Sequence, residues 1–246
     1  MKPGKLIGTG NTADVYEWEE GKVLKLFKQG YPYEAVKKEY RNGMAINDMD
    51  FLKPRAYTMI TYEGKNGIIY DRIEGESLLD IILNTGNWQE CAECMAKTHK
   101  AMINNEVRNV PYYKDFLIHH IKNSLLTKEK QKEAPNLVDR LPNGDTLCHG
   151  DFHPGNILVS KGNAYVIDFM NVCHGHYLYD IARTVFLTEC APVPAGESDR
   201  DSILYIRKNL SELYLAQMGV TKDMLQDYLT IISIVYPGES YGRKLL

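Results

Sequence analysis

Leu147-Cys148-His149-Gly150-Asp151-Phe152-His153-Pro154-Gly155-Asn156-Ile157-Leu158-Val159 holds the densest chemistry in the chain. It contains His-x-Asp, with an Asn five residues beyond the Asp. Twelve residues after Asn156, Val166-Ile167-Asp168-Phe169 ends an apolar run on a second Asp. Phosphoryl transfer uses these types: an Asp to orient an acceptor hydroxyl and take its proton, and an Asn and an Asp as oxygen ligands for Mg²⁺. Residues 156–160 and 164–167 read as short strands joined by Lys161-Gly162-Asn163, a hairpin that would bring Asn156 and Asp168 to one metal cluster. Any one of these residues alone is as well explained as a turn or capping residue; the constellation favours chemistry.

Toward the N-terminus, residues 5–9, 13–18 and 22–27 are β-leaning runs. Ile7-Gly8-Thr9-Gly10-Asn11-Thr12-Ala13 lies between the first two; its glycines let a backbone fold over phosphates and offer N–H donors, but Ala13 stands where the kinase-type pattern wants a third glycine, and taken alone the stretch is better explained as an ordinary hairpin turn. Lys25, amid Val23, Leu24 and Leu26, places a point charge suited to nucleotide phosphates. Its expected carboxylate partner is Glu39 from a helix over residues 33–45, with Glu34 in reserve. Residues 56–62 and 67–73 form another expected strand pair, turned at Glu63-Gly64-Lys65-Asn66.

The remainder reads as mainly helical, with helices over residues 77–83, 88–103, 112–126, 179–187, 202–217 and 222–232 and a loop over 191–198. The chain of 246 residues is 44% hydrophobic and 25% charged, ordinary for a folded protein. Its net charge of −3 lacks the basic excess of a nucleic-acid binder. No run of 18 apolar residues predicts a membrane span, no apolar signal core predicts export, and five cysteines are expected as reduced thiols, so a cytoplasmic setting is expected. Residues 1–73 hold 12 basic and 10 acidic side chains, against 17 and 22 in the rest.

His149-Gly150-Asp151-x-His153-Pro154-Gly155-Asn156-Ile157-Leu158, followed by Ile167-Asp168-Phe169, resembles the aminoglycoside phosphotransferase and choline kinase-like superfamily, relatives of the protein kinases. The resemblance implies an α+β, protein-kinase-like bilobal fold: a β-rich nucleotide-binding lobe over residues 1–73 and a mainly helical catalytic and substrate-binding lobe over 74–246. It implies Asp151 as catalytic base, Asn156 and Asp168 as Mg²⁺ ligands, and Gly8, Gly10, Asn11, Lys25 and Glu39 around the phosphates of ATP, with GTP not excluded. Ile69-Tyr70-Asp71-Arg72-Ile73 resembles the interlobe hinge, where the Asp71 carbonyl and Ile73 N–H would contact the base and Tyr70 would stand behind it. Asp180, in Tyr179-Asp180-Ile181-Ala182-Arg183, matches a position that braces the catalytic loop, and Arg183 stands as structural or substrate-side. Gly150 and Met170 replace the Arg and Gly that protein kinases favour, and no Ala-Pro-Glu follows.

The implied activity is transfer of a γ-phosphoryl group to a hydroxyl of a small acceptor, aminoglycoside- or amino-alcohol-like among others, with no nucleic-acid or membrane partner and no oligomeric state indicated. A nucleotide-binding scaffold that lost the chemistry is the alternative; Lys25, Asp151, Asn156 and Asp168 all being of the required type argues against it. Selectivity is expected in residues 112–140, 171–177 and beyond Thr188, with Glu189, Glu197 and Asp201 as carboxylates for a cationic acceptor. Cys91-Ala92-Glu93-Cys94 lacks a second ligand pair for zinc, and His119, His120, His174 and His176 read as surface or pocket histidines.

Overall fold

Strand alternation fixes where Lys25 points. In β3 (Lys22–Phe27), Val23, Lys25 and Phe27 share one face, and Val23 and Phe27 are buried against Val36, Ala56, Ile68 and Tyr70. Leu24 and Leu26 face the other way, onto Tyr16, Trp18 and Tyr62. Lys25 is thereby carried toward α1 (Tyr33–Ile46), which supplies Val36 to the first cluster and Glu39 to the site. The computed structural model describes residues 2–122, 128–190 and 200–244.

The first sheet has five antiparallel strands ordered β1 (Leu6–Thr9), β2 (Ala13–Glu17), β3, β5 (Lys65–Asp71) and β4 (Ala56–Tyr62). The β4–β5 turn is tighter than the four-residue turn expected. Glu63 and Gly64 both have positive φ, 47° and 77°, and Tyr62 pairs directly with Lys65. A two-residue turn of this hand matches the strand twist. It starts β5 two residues early and ends it at Asp71, so Arg72 and Ile73 lie beyond the strand.

The rest is built around helices. α2 (Leu78–Thr85) is capped by Ser77, whose hydroxyl accepts from Asp80 N–H, and stops at Gly86 in the left-handed conformation. α3 (Trp88–Ile103) buries Cys91, Met95, His99 and Met102 on one stripe. α4 (Tyr113–Lys122) and α5 (Lys128–Arg140) follow; the expected helix end over 123–126 lies outside the described residues, as does the 191–198 loop. α6 (Tyr177–Cys190), α7 (Arg200–Met218) and α8 (Lys222–Lys244) each outrun their sequence limits, α8 most, because Val235 extends its buried stripe past Ile232. No described helix is long and apolar enough to cross a membrane.

Two small sheets hold the central motif. β8 (Ile157–Ser160) and β9 (Asn163–Val166) form a hairpin with β6 (Glu76–Ser77) along β8. β7 (Thr146–Cys148) pairs with β10 (Cys173–Gly175). β6, β7 and β10 have two or three residues each, too few for alternation to reveal.

Candidate active site

Lys25 Nζ lies 2.7 Å from Glu39 Oε1 and 3.0 Å from Asp168 Oδ1. One ammonium thus ties β3, α1 and the exit of β9 together, across 143 residues of sequence. Glu34 instead lies 3.9 Å from Lys37, so Glu39 is the partner. The Tyr70 hydroxyl donates to the same Glu39 Oε1 at 3.1 Å, and Glu39 Oε2 is buried without a partner among the described residues. Burial pushes the Glu39 carboxyl up, with Lys25 opposing. Burial would lower Lys25, but Asp168 and Glu39 outweigh it and hold the ammonium above its ordinary range. Burial likewise pushes Asp168 up, and Lys25 reverses the sign. Asp168 is the open member, 40% exposed, so water screens part of its attraction.

Asp168 has a left-handed backbone, φ 69° and ψ 76°, and opens a 3₁₀ turn over Phe169–Asn171. Asn42 of α1 fastens that turn, donating from Nδ2 to Phe169 O at 2.9 Å and Met170 O at 3.3 Å. Ile167 N–H donates to Asn156 O at 3.0 Å, continuing the β8–β9 register and setting Asn156 beside the residue that precedes Asp168. Asn156 Nδ2 donates to Asp151 O at 2.9 Å, which directs its amide oxygen away from that bond. Asp151 is partly exposed.

The loop before Asp151 is held from behind. Asp180 accepts the N–H groups of His149 at 2.7 Å and Gly150 at 2.8 Å, and His99 Nε2 lies 2.9 Å from Oδ2. Burial would raise the Asp180 carboxyl, yet His99, His149 and the Gly150 N–H together hold it below the usual carboxylate range. Arg183, fully buried, donates from Nε to Gly150 O at 3.0 Å, which puts it on the structural side. His149 Nε2 sits 3.0 Å from Ile167 O, and its Nδ1 accepts Asp151 N–H at 3.2 Å, so the ring links the catalytic-loop backbone to the residue before Asp168. Gly150 has φ 74°, and a Cβ there would lie 2.4 Å from Asn171 O. No side chain fits, which is the physical reason the protein-kinase Arg is absent.

The other expected site residues are placed less simply. Gly10 N–H closes the β1–β2 turn onto Ala13 O at 2.8 Å, so it is engaged internally rather than presented as a phosphate donor. Gly8 lies opposite Val15 beside a register shift, and Asn11 is exposed at the tip. The Asp71 carboxylate is occupied by Arg55 N–H at 2.9 Å and the Tyr57 hydroxyl at 2.7 Å, while Ile73 is half-buried past β5. Arg72 locks this crossing by donating its N–H to Gly21 O and pairing with Glu17 and Glu74. Glu189 is paired with Lys222 at 2.7 Å, Asp201 is exposed at the start of α7, and Glu197 lies outside the described residues. His176 Nδ1 lies 3.1 Å from the Tyr228 hydroxyl, and His174 packs against Tyr112. Cys91 is buried and Cys94 half-buried on α3, and no cluster of three or more His, Cys, Asp or Glu among the described residues could hold a metal.

Tyr70 and Asn42 were the residues missed as partners of the site. Tyr70 was legible only as bulk, and an Asn within a helix carries no distinguishing pattern. Asn156 and Asp168 nonetheless fit Mg²⁺: one amide oxygen and one carboxylate are hard donors, leaving positions for phosphate and water.

The profile of the phosphotransferase enzyme family matches residues 4–205, and the chain belongs to that family. It is a phosphotransferase that uses an alcohol group as acceptor. Among solved structures, it is similar to aminoglycoside-3'-phosphotransferase of type VIII, with 14% identity, coverage of 94% of this chain and 91% of that one, and a TM-score of 0.61. It is similar to aminoglycoside phosphotransferase APH(4)-Ia in ternary complex with ADP and hygromycin B, at 16% identity, 95% and 93% coverage, and a TM-score of 0.57. Amicoumacin kinase hAmiN in complex with AMP-PNP, Ca²⁺ and its ligand gives 14% identity, 98% and 81% coverage, and 0.58. These likenesses establish the protein-kinase-like fold. No curated protein matches the chain.

Proposed function

We propose that the protein is an ATP-dependent small-molecule kinase, with nucleotide-binding residues in 1–73 and catalytic and acceptor-binding residues in 74–246. The observation that carries this reading is the Lys25–Glu39–Asp168 junction beside the braced Asp151 loop. Lys25 meets the nucleotide phosphates, and Glu39, itself steadied by Tyr70, fixes its direction. The Asp71 carbonyl and Ile73 N–H contact the base. Asp151 orients the acceptor hydroxyl and takes its proton as the γ-phosphoryl passes in line. Asn156 and Asp168 would hold Mg²⁺, which when bound neutralises phosphate charge. Most of the rate gain is positioning and charge compensation.

The acceptor is a small hydroxyl compound. The nucleotide complexes and antibiotic ligands of the similar structures support a nucleotide and a small-molecule partner in one cleft. Among the carboxylates expected for a cationic acceptor, Glu189 is already neutralised by Lys222, which lowers its claim.

The test is Mg²⁺-dependent consumption of ATP and GTP across aminoglycosides, choline, ethanolamine, other amino alcohols and sugars. Asp151→Asn should abolish turnover and spare nucleotide affinity; equal activity in that variant sinks the assignment. Asp168→Asn should weaken Mg²⁺–nucleotide binding, read by titration calorimetry. Tight nucleotide binding without turnover on any acceptor would favour the scaffold alternative.

A further inference from the structure

We infer that Cys148 and Cys173 form a reversible disulfide site in the ribbon beneath the catalytic loop. β7 and β10 pair with Cys148 opposite Cys173, Leu147 opposite His174 and Thr146 opposite Gly175. Leu147 N–H turns away to Asn105 O at 2.8 Å, and His174 N–H turns away to Pro111 O at 2.8 Å. The 147/174 pair is therefore the non-bonded one, and alternation makes 148/173 a hydrogen-bonded pair. Such a pair holds its Cα atoms about 5.5 Å apart, inside the roughly 4.4–6.8 Å that a disulfide spans. Opposed residues project to the same face, so the two side chains share one side of the ribbon. Both are buried. Side chains stand farther apart in hydrogen-bonded pairs than in non-bonded ones, so closing the bond twists the ladder. A strained disulfide is easily reduced, the signature of a switchable rather than a structural bond.

Burial pushes the Cys148 thiol well up. Hydrogen peroxide oxidises one of the two thiols to the sulfenic acid with release of one water. The other sulfur then attacks that sulfur, the S–S bond forms, and the hydroxyl leaves with a proton as a second water. Two thiols lose two electrons and two protons; one peroxide is reduced to two waters.

The site reaches the chemistry through its position. Cys148 precedes His149-Gly150-Asp151, and Cys173 follows the turn whose Asn171 O abuts Gly150. That contact leaves no slack, so twisting β7 against β10 shifts Asp151 relative to Asp168. This last step rests on the proposed kinase reading; the bond itself does not.

The full chain would be treated with hydrogen peroxide under native conditions, denatured, alkylated and digested for mass spectrometry. The expected product is the two peptides joined through Cys148 and Cys173, two hydrogens lighter than the pair and separated by dithiothreitol. Turnover should fall at least tenfold as the linkage accumulates and return on reduction, while Cys173→Ser keeps its activity in the same oxidant. Recovery of Cys148 and Cys173 each singly alkylated, with exposed Cys190 oxidised, overturns the proposal, and this readout stands even if Cys173→Ser fails to fold. Linkage with undiminished turnover overturns the coupling to catalysis. Linkage in a protein that turns over no acceptor when reduced upholds the disulfide site and counts against the kinase reading instead.

Discussion

Asp180→Asn should destabilise the protein far more than its single-atom change suggests. The carboxylate is fully buried and accepts three N–H groups, from His149, Gly150 and His99. Hydrogen bonds to a charged group contribute about 1.5–3 kcal/mol each, although three on one group do not simply add. The amide keeps one oxygen and turns an NH₂ toward donors that need an acceptor. Breaking a buried charged arrangement in this way costs about 3–5 kcal/mol. At roughly 2–4 °C per kcal/mol for a chain of this size, the melting temperature should fall by about 10 °C. Thermal unfolding followed by circular dichroism at neutral pH reads this directly. The gap should also depend on pH. Asp180 is held below its unfolded value of about 3.9, so its stabilisation is complete above that pH and is lost as pH falls through the folded value. The two proteins should therefore converge only below about pH 4. A variant melting within about 2 °C of the parent would refute the claim that Asp180 holds the loop.

Gly150→Ala should lose at least about 2 kcal/mol, from left-handed strain and the Asn171 contact, and its turnover should collapse with it; a wild-type denaturant midpoint would contradict this. Tyr70→Phe removes the second hydrogen bond to Glu39 and should cost about 1 kcal/mol with a raised KM for nucleotide, checked by denaturation and steady-state kinetics. Lys161→Asn should stabilise by about 0.5–1 kcal/mol, because Lys161 and Gly162 form a two-residue turn with φ of 49° and 77° that favours Asn-Gly; a fall in midpoint would argue against that turn assignment.

The fold was legible where local chemistry and global position agree. Lys25 could be read because a charge amid Val23, Leu24 and Leu26 breaks an apolar strand, and the helix after it offered Glu39. The β8–β9 hairpin announced itself through Lys161-Gly162. Gly10, between two β-like runs, reads either as a phosphate donor or as part of an ordinary hairpin turn, and only the turn it closes, here onto Ala13 O, shows which way its amide faces. β7 and β10 escaped notice because they are stabilised by partners distant in sequence. Tyr70 was recognised as large but not as a donor, since nothing in a strand sequence says where a phenol hydroxyl ends. Arg183 could be ranked only once its burial and its bond to Gly150 O were known.

The left-handed backbone at Asp168 narrows what drift can do there. Gly, Asn and Asp enter that conformation readily, whereas other side chains pay about 1–2 kcal/mol for it. Of those three, only Asp brings a negative charge to Lys25. Lengthening the arm to Glu meets the main chain's objection before any question of chemistry arises, and shortening the choice to Asn or Gly discards the charge. On the proposed reading, in which Asp168 serves the reaction, a lineage abandoning that reaction is expected to show Asn or Gly at 168 first, with its fold intact.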